Sequence, residues 1–242
     1  LLSGGFILLW FGHIEVYPVL VAGIALLCYS TARHLILGKS IYWIGVVYGL
    51  LLPIHLSASW LFPGVAYLLV RDWKHRGLRK AALTVIIVLA LQIAIWGGIC
   101  VVYYNGSVQE MGQHFWSEMN VGLDRAMFVG WNKILSVHHF LNVLQELLYL
   151  SAPSVLAVAV LLSCKTSKDK SPIEIFLGLA SLGYLIYTLT WQADRGYPED
   201  WDLFCGLSLI LALYTGMRVA RLQIPRESRT ILVILILLSS LP

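Results

Sequence analysis

The sequence predicts an all-α protein, a polytopic transmembrane helical bundle, and two observations carry this prediction. Residues of the set AVILMFWYC make up 59% of the 242 positions and charged residues only 12%, against about 25% charged residues in an ordinary soluble domain. Long apolar runs alternate with short basic segments, and the mean hydropathy is +0.78. This composition excludes a soluble enzyme, a disordered chain and a nucleic-acid-binding domain.

A membrane-spanning helix needs about 20 apolar residues, so the apolar runs predict about 8–9 membrane segments in a single transmembrane domain covering 1–242. Two neighbouring runs, 41–53 and 54–70, could form one long helix, but Pro53 and Pro63 interrupt it and both flanking segments are basic. We therefore predict a short hairpin broken at proline. The complete set of runs is 1–11, 17–30, 41–53, 54–70, 81–104, 138–164, 172–191, 201–217 and 231–242.

The basic residues concentrate in alternate connections between these runs. Of the 17 Lys and Arg residues, 14 lie in 31–40, 71–80, 165–171 and 218–229. The positive-inside rule assigns these segments to the cytoplasm and predicts an integral protein of the cell membrane, the inner membrane in a bacterium. The other connections hold 8 of the 13 acids and form the external face: 12–16, 105–137 and 192–202.

Two further features concern single segments. The long connection 105–137 mixes aromatic and polar residues, which is typical of short interfacial helices. The chain has no initiator Met and stops at Leu241 and Pro242 within an apolar run. We therefore expect an internal fragment of a longer protein, truncated at both ends.

The first candidate site is the external segment FGHIEVYP, which contains His13, Glu15 and Tyr17. It places an imidazole and a carboxylate at the boundary between the apolar runs and water. Such residues can form a solvated interfacial turn anchored by tyrosine. They can equally form an acid/base pair or a metal-binding pair that faces an external cavity.

The second candidate site is the last external connection, WQADRGYPEDWDLF. Four acids this close repel one another, and water, salt, an arginine, a divalent cation or a row of sugar hydroxyls must offset that repulsion. Mg²⁺ or Mn²⁺ is compatible with these acids but not required by them. The last two acids precede or begin a helix, where aspartate also serves as a cap. The charged residues are Asp194, Arg195, Glu199, Asp200 and Asp202.

Polar residues also occur within the predicted membrane segments. His55 follows Pro53 in LLPIHLSASWLFP, where it is either a hydrogen-bond partner between helices or a ligand contact. His139, Asn142 and Glu146 lie on one helical face, with Glu146 roughly 10 Å below the start of its helix. An intramembrane carboxylate indicates a functional site or a pair with histidine on a neighbouring helix.

Four segments together resemble a known family: FGHIEVYP, LLPIHLSASWLFPGVAYLL, LNVLQELLYLSAP and EDWDLF. They are similar to bacterial polytopic glycosyltransferases of the GT-C type, the relatives of protein mannosyltransferases and aminoarabinose transferases. The resemblance implies a glycosyltransferase that moves a sugar from a polyprenyl-phosphate donor to a glycan, lipid or protein acceptor on the external face. Membrane lipid is a further expected partner, and nucleic acid is not. The family's acid in the first external loop is missing here or lies upstream of Leu1, which makes Glu15 a candidate for a second acidic position.

The expected roles follow the chemistry of sugar transfer. A carboxylate takes the proton of the acceptor hydroxyl, and a cation or metal stabilises the phosphate leaving group. Glu15 or Asp200 is the expected base or acceptor-binding acid, and Arg195 the phosphate ligand. Asp202 is a further catalytic candidate. The remaining substrate-binding candidates are His13, Tyr17, His55, Asp194 and Glu199.

Two other functions compete with sugar transfer. In a transporter or flippase, His55, His139 and Glu146 would form a proton or substrate path through the bundle. A scaffold without catalytic activity is the third alternative. An external cavity lined by Glu15 and the 194–202 segment favours the transferase, whereas a continuous intramembrane polar path favours transport.

Overall fold

The structure is a computed structural model that describes residues 17–119, 130–163, 170–191 and 201–221. The regular elements in these ranges are helices, which confirms the predicted all-α helical bundle. The predicted runs 1–11 and 231–242 lie outside the described residues. The elements are α1 (Tyr17–Leu37), α2 (Tyr42–Leu51), a 3₁₀ helix (Leu56–Leu61), α3 (Phe62–Arg76), α4 (Leu78–Tyr104), α5 (Val108–Met119), α6 (Trp131–Ile134), α7 (Val137–Ser163), α8 (Pro172–Thr190) and α9 (Trp201–Ala220).

Three of these helices, α1, α4 and α8, are long and apolar enough to cross a membrane. The 27 residues of α4 reach about 40 Å at a rise of about 1.5 Å per residue. Of the most apolar stretch of α4, only 6% is buried against the rest of the protein. An apolar helix with so little protein contact needs a lipid environment, which identifies the chain as a membrane protein.

The predicted proline-broken hairpin is present. With 10 residues, α2 is only about 15 Å long, half the thickness of the hydrocarbon core. The chain breaks after α2 at Pro53. Pro63 lies in the first turn of α3, where backbone N–H groups have no acceptor within the helix, so the N–H that proline lacks costs no hydrogen bond. At the far end of the hairpin, Asp72 of α3 lies 3.2 Å from Nε2 of His34 in α1. The hairpin therefore enters and leaves at the same end of the bundle.

The contact between His34 and Asp72 also corrects a predicted boundary. The segment 31–40 was expected to be a basic connection, but α1 continues to Leu37. His34 and Asp72 are both 1% exposed, and Nε of Arg76 lies 3.4 Å from the Asp72 carboxylate. The His34 ring also bonds through Nδ1 to the Lys39 carbonyl, at 2.7 Å. Because these contacts offset part of the cost of burying His34 and Asp72, the helix extends beyond the apolar run.

A second buried ion cluster joins α8 to α9. Glu174 forms a capping box with Ser171 at the start of α8, and its Oε2 accepts a hydrogen bond of 2.9 Å from Arg221. Arg218 lies 3.9 Å from the other carboxylate oxygen. Since α3 and α8 are antiparallel, with Gly64 beside Phe176 and the Trp60 carbonyl beside Gly183, both ion clusters lie at one end of the bundle. We call it the basic end.

The opposite end is rich in aromatic side chains, and we call it the aromatic end. It contains Tyr17 at the start of α1, the 3₁₀ helix, the end of α8 and the start of α9. Because α2 and α4 are parallel, with Gly45 beside Thr84 and Gly49 beside Leu91, α4 runs from the basic end to the aromatic end. The short helices α5 and α6 follow α4, and short helices were predicted for the 105–137 segment. The chain then returns through α7, which is kinked at Ser151.

Candidate functional site at the aromatic end

His55 occupies the break in the hairpin. It has an extended backbone (φ −158°, ψ 137°), and its side chain caps the 3₁₀ helix by accepting a hydrogen bond from the Ser57 amide. The donor nitrogen lies 3.1 Å from Nδ1 of His55. Because Nδ1 accepts this bond, the neutral ring carries its proton on Nε2.

The same nitrogen starts a chain of hydrogen bonds that leads into the core. The Ser57 hydroxyl lies 2.8 Å from Nδ1 of His55 and 3.1 Å from the hydroxyl of Tyr184. With Nδ1 as the acceptor, Ser57 donates to His55, and Tyr184 donates to Ser57. Ser57 and Tyr184 are fully buried. The chain therefore fixes the orientation of the His55 ring from inside the protein.

Tyr17 brings the first candidate segment to this ring. The ring centroids of Tyr17 and His55 are 5.2 Å apart, with the planes tilted by 54°. Tyr17 is only 8% exposed, so it packs into the bundle and is not a freely solvated anchor. Glu15 precedes Tyr17 by two residues, and the described end of the FGHIEVYP segment thus lies against His55.

Aromatic contacts continue from Tyr184 to the second candidate segment. Tyr184 and Tyr187 pack edge to face, with centroids 6.1 Å apart. Tyr187 contacts Trp191 at 5.2 Å and Phe204 at 5.6 Å. Trp191 and Phe204 lie on either side of the acidic segment 192–202. Its flanks therefore belong to the same contact network as Tyr17 and His55.

Two glycines permit this close packing. The Trp60 carbonyl of the 3₁₀ helix occupies the space that a side chain at Gly183 would take, and a Cβ at Gly206 would lie 2.7 Å from the Tyr184 hydroxyl. Trp60 also contacts Tyr187, with ring centroids 6.0 Å apart. Small residues at these positions let α8 approach the 3₁₀ helix and α9 approach Tyr184.

The three polar residues of α7 that were predicted to lie within the membrane are near this network. Nε2 of His139 lies 2.8 Å from the Leu189 carbonyl at the end of α8, so one partner of its ring is a backbone oxygen. Glu146 is fully buried and Asn142 is partly buried. At about 1.5 Å per residue, Glu146 lies about 10 Å closer to the basic end than His139.

A cavity of about 290 Å³ lies between α7, α8 and α9, and its lining is apolar apart from Ser181 and Tyr214. The residues of α7 that line it, Leu147 and Val155, lie farther along the helix than Glu146. The cavity thus offers few polar groups between Glu146 and the basic end.

The remaining predicted site residues lie outside the described residues. Asp202 belongs to the first turn of α9, but its side chain is likewise outside the described set. Where side chains are described, no group of three His, Cys, Asp or Glu residues is placed to hold a metal ion. The predicted acids, and Mg²⁺ or Mn²⁺ bound to them, therefore stay predictions. The residues outside the described ranges are His13, Glu15, Asp194, Arg195, Glu199 and Asp200.

Sequence reasoning overlooked Tyr184, a fully buried member of the network. Its signal was present, because Tyr184, Tyr187 and Trp191 follow one helical face at i, i+3 and i+7. A row of aromatic residues along an apolar helix usually indicates ordinary core packing. Only the contact of Tyr184 with Ser57, 127 residues away in the sequence, distinguishes this row from core packing.

Comparisons of the chain with protein-family models, with curated proteins and with solved structures find no match. The functional argument therefore depends on the chain itself.

Proposed function

We propose that this chain is part of a membrane glycosyltransferase that moves a sugar from a polyprenyl-phosphate donor to an acceptor at the aromatic end. One observation carries the proposal. A continuous set of contacts, from Tyr17 through His55, Ser57 and Tyr184 to Tyr187, joins the flanks of the two acidic segments. A reaction site that needs acid, cation and lipid access can assemble where these segments meet.

The proposed reaction is a displacement at the anomeric carbon of the sugar. The acceptor hydroxyl oxygen forms a bond to this carbon while the bond from the carbon to the phosphate oxygen breaks. Glu15 or Asp200 takes the hydroxyl proton. The polyprenyl phosphate leaves with the electron pair, and Arg195 binds its oxygens with a bidentate guanidinium.

His55 is suited to a positioning role in this reaction. Its Nδ1 accepts from Ser57, which directs the N–H of the neutral ring away from the core. His13 is a second positioning candidate, and Asp194 and Glu199 are candidates for binding the sugar hydroxyls. Trp60 and Trp191, in the same network, are of the type that marks the level where a membrane meets water.

The orientation of the bundle provides the first test. The basic end holds the ends of most segments rich in Lys and Arg, which favours a cytoplasmic basic end and an external aromatic end. In a cysteine-free background, we expect Val108→Cys, 70% exposed, to react with a membrane-impermeant maleimide in intact cells. Lys74→Cys should react only after the cells are opened, and the reverse pattern would contradict the external site.

A second test concerns the donor phosphate. We expect Arg195→Ala to raise the KM for the polyprenyl-phosphate sugar by about 10-fold or more, since a charge-assisted hydrogen bond contributes about 1.5–3 kcal/mol. The assay is transfer of labelled sugar by the purified protein in detergent. Lys133→Ala is the control, because this lysine is a second basic residue, is exposed and lies near the aromatic end. An unchanged donor KM in Arg195→Ala would remove Arg195 from the site.

A transporter or flippase is the second candidate, and full burial of Glu146 favours it. The two functions predict different results for Glu146→Gln. Loss of substrate movement across vesicles with no loss of sugar transfer would support transport. The apolar lining of the cavity beyond Glu146 is the reason for placing the transferase first.

A further inference from the structure

A groove opens between α1 and α2 at the basic end, on the opposite side of the membrane from the proposed reaction site. Its volume is about 490 Å³, within the usual range of small-molecule sites. Its inner part is apolar, and its outer part, toward the basic end, is polar and cationic. The lining residues are Leu26, Val46, Val47 and Leu50 in the inner part and Tyr29, Ser30, Arg33, Lys39, Ser40 and Trp43 in the outer part.

Within the described part of the chain, the two cations at the outer end have no acidic partner. Among the described side chains, no carboxylate lies within ion-pair distance of Arg33 or Lys39, because Asp72 binds His34 and Arg76 instead. The Arg33 guanidinium lies 5.6 Å from the ring centroid of Tyr29, a cation–π contact that leaves its net charge in place. The groove therefore carries positive charge at its outer end, next to its apolar inner part.

The flanking aromatic residues indicate the level of this charge in the membrane. Trp43 is 64% exposed and Tyr29 is 58% exposed, as expected for side chains that lie at the headgroup level. From Arg33 to Leu26 the groove descends about 10 Å along α1. A ligand that fits must carry negative charge at the interface and an apolar chain below it.

We propose that this groove binds one phospholipid with an anionic headgroup. Arg33 and Lys39 bind the lipid phosphate, with the Ser40 hydroxyl in reach of the same headgroup, and an acyl chain lies along Leu26, Val46 and Leu50. Charge complementarity selects an anionic lipid over a zwitterionic one, because none of the described lining residues is an acid that could pair with a choline group. The site is independent of the proposed sugar transfer, since it lies at the other end of the bundle.

Titration of the purified full chain with phosphatidylglycerol, followed by native mass spectrometry, tests this site. We expect one saturable lipid in the wild-type protein, with phosphatidylcholine bound more weakly. Each basic residue near an anionic headgroup contributes about fivefold in affinity, so Arg33→Ala/Lys39→Ala should bind about 30-fold more weakly. Both side chains can be removed without loss of the backbone bond between Lys39 and Arg33, and circular dichroism checks the fold.

Matched variants separate a built groove from general surface charge. Arg79→Ala/Lys80→Ala removes two exposed cations at the same end, outside the groove, and should change the affinity by less than about twofold. Leu26→Trp, which fills the apolar part, should prevent binding, whereas Leu89→Trp on α4 should not. Leu26 and Leu89 are similarly exposed, at 50% and 55%.

Four outcomes would overturn the proposal. They are wild-type affinity in Arg33→Ala/Lys39→Ala, an equal loss in Arg79→Ala/Lys80→Ala, undiminished binding in Leu26→Trp, and complete displacement of the lipid by millimolar inorganic phosphate. The last would identify a phosphate site in place of a lipid site. Sugar transfer enters none of these measurements, so the proposed function can fail while the lipid site stands.

Discussion

Glu15→Gln and Asp200→Asn are each expected to lower the rate of sugar transfer. The variant that removes the catalytic base should lower this rate by about 100-fold or more. Each substitution removes a negative charge with little change in volume, so the variant still folds but cannot take the proton of the acceptor hydroxyl. Loss of a helix cap at Asp200 would instead cost about 1 kcal/mol of stability and little rate. The measurement is transfer of labelled sugar from a polyprenyl-phosphate donor, with thermal unfolding followed in parallel.

Glu110→Gln is the matched control for this prediction. Glu110 is an exposed acid of α5 at the same end of the bundle, and its removal should leave transfer unchanged. Full activity in the Glu15, Asp200 and Arg195 variants together would reject the proposed site. Glu146 and the transport function would then become the leading explanation.

The second large effect is expected at Gly183. Even the methyl group of Gly183→Ala would overlap the Trp60 carbonyl, and Pro63 Cδ lies 3.2 Å from the same position. Neither neighbour is the end of a flexible side chain, so α8 must move away from the 3₁₀ helix. Overpacking of this kind costs about 1–3 kcal/mol, and the larger Gly183→Leu should prevent stable folding.

Thermal unfolding in detergent measures this loss, and Gly98→Ala provides the control. Gly98 lies in α4 with open space around its Cβ position, so alanine there should be neutral or stabilising by about 0.5–1 kcal/mol. Unchanged unfolding of Gly183→Ala would contradict the close contact of α8 with the 3₁₀ helix. A displaced α8 should also break the bond between Ser57 and Tyr184, which makes sugar transfer a second readout.

Much of the fold could be predicted because it depends on local and additive properties. Apolar length predicted the helices, and the basic flanks of 41–70 predicted that the hairpin returns to the end where it begins. The predicted helix boundaries were less accurate than the helices themselves. Helix α1 extends to Leu37 because His34 contacts Asp72 on another helix. That pairing joins residues 38 positions apart, and hydropathy does not report on it.

By itself, the sequence determined that this chain is an all-helical membrane protein with a proline-broken hairpin and alternating basic and acidic connections. These properties follow from the free-energy cost of placing polar groups and charges in hydrocarbon. This cost applies to each segment independently of its neighbours, so it can be predicted from local sequence. Only the tertiary structure decided that Tyr17, His55, Ser57 and Tyr184 form one network, and that Arg33 and Lys39 lie at the mouth of an apolar groove. The physical reason is that these contacts depend on which helix faces meet, and in the network close approach at Gly183 and Gly206 sets those faces.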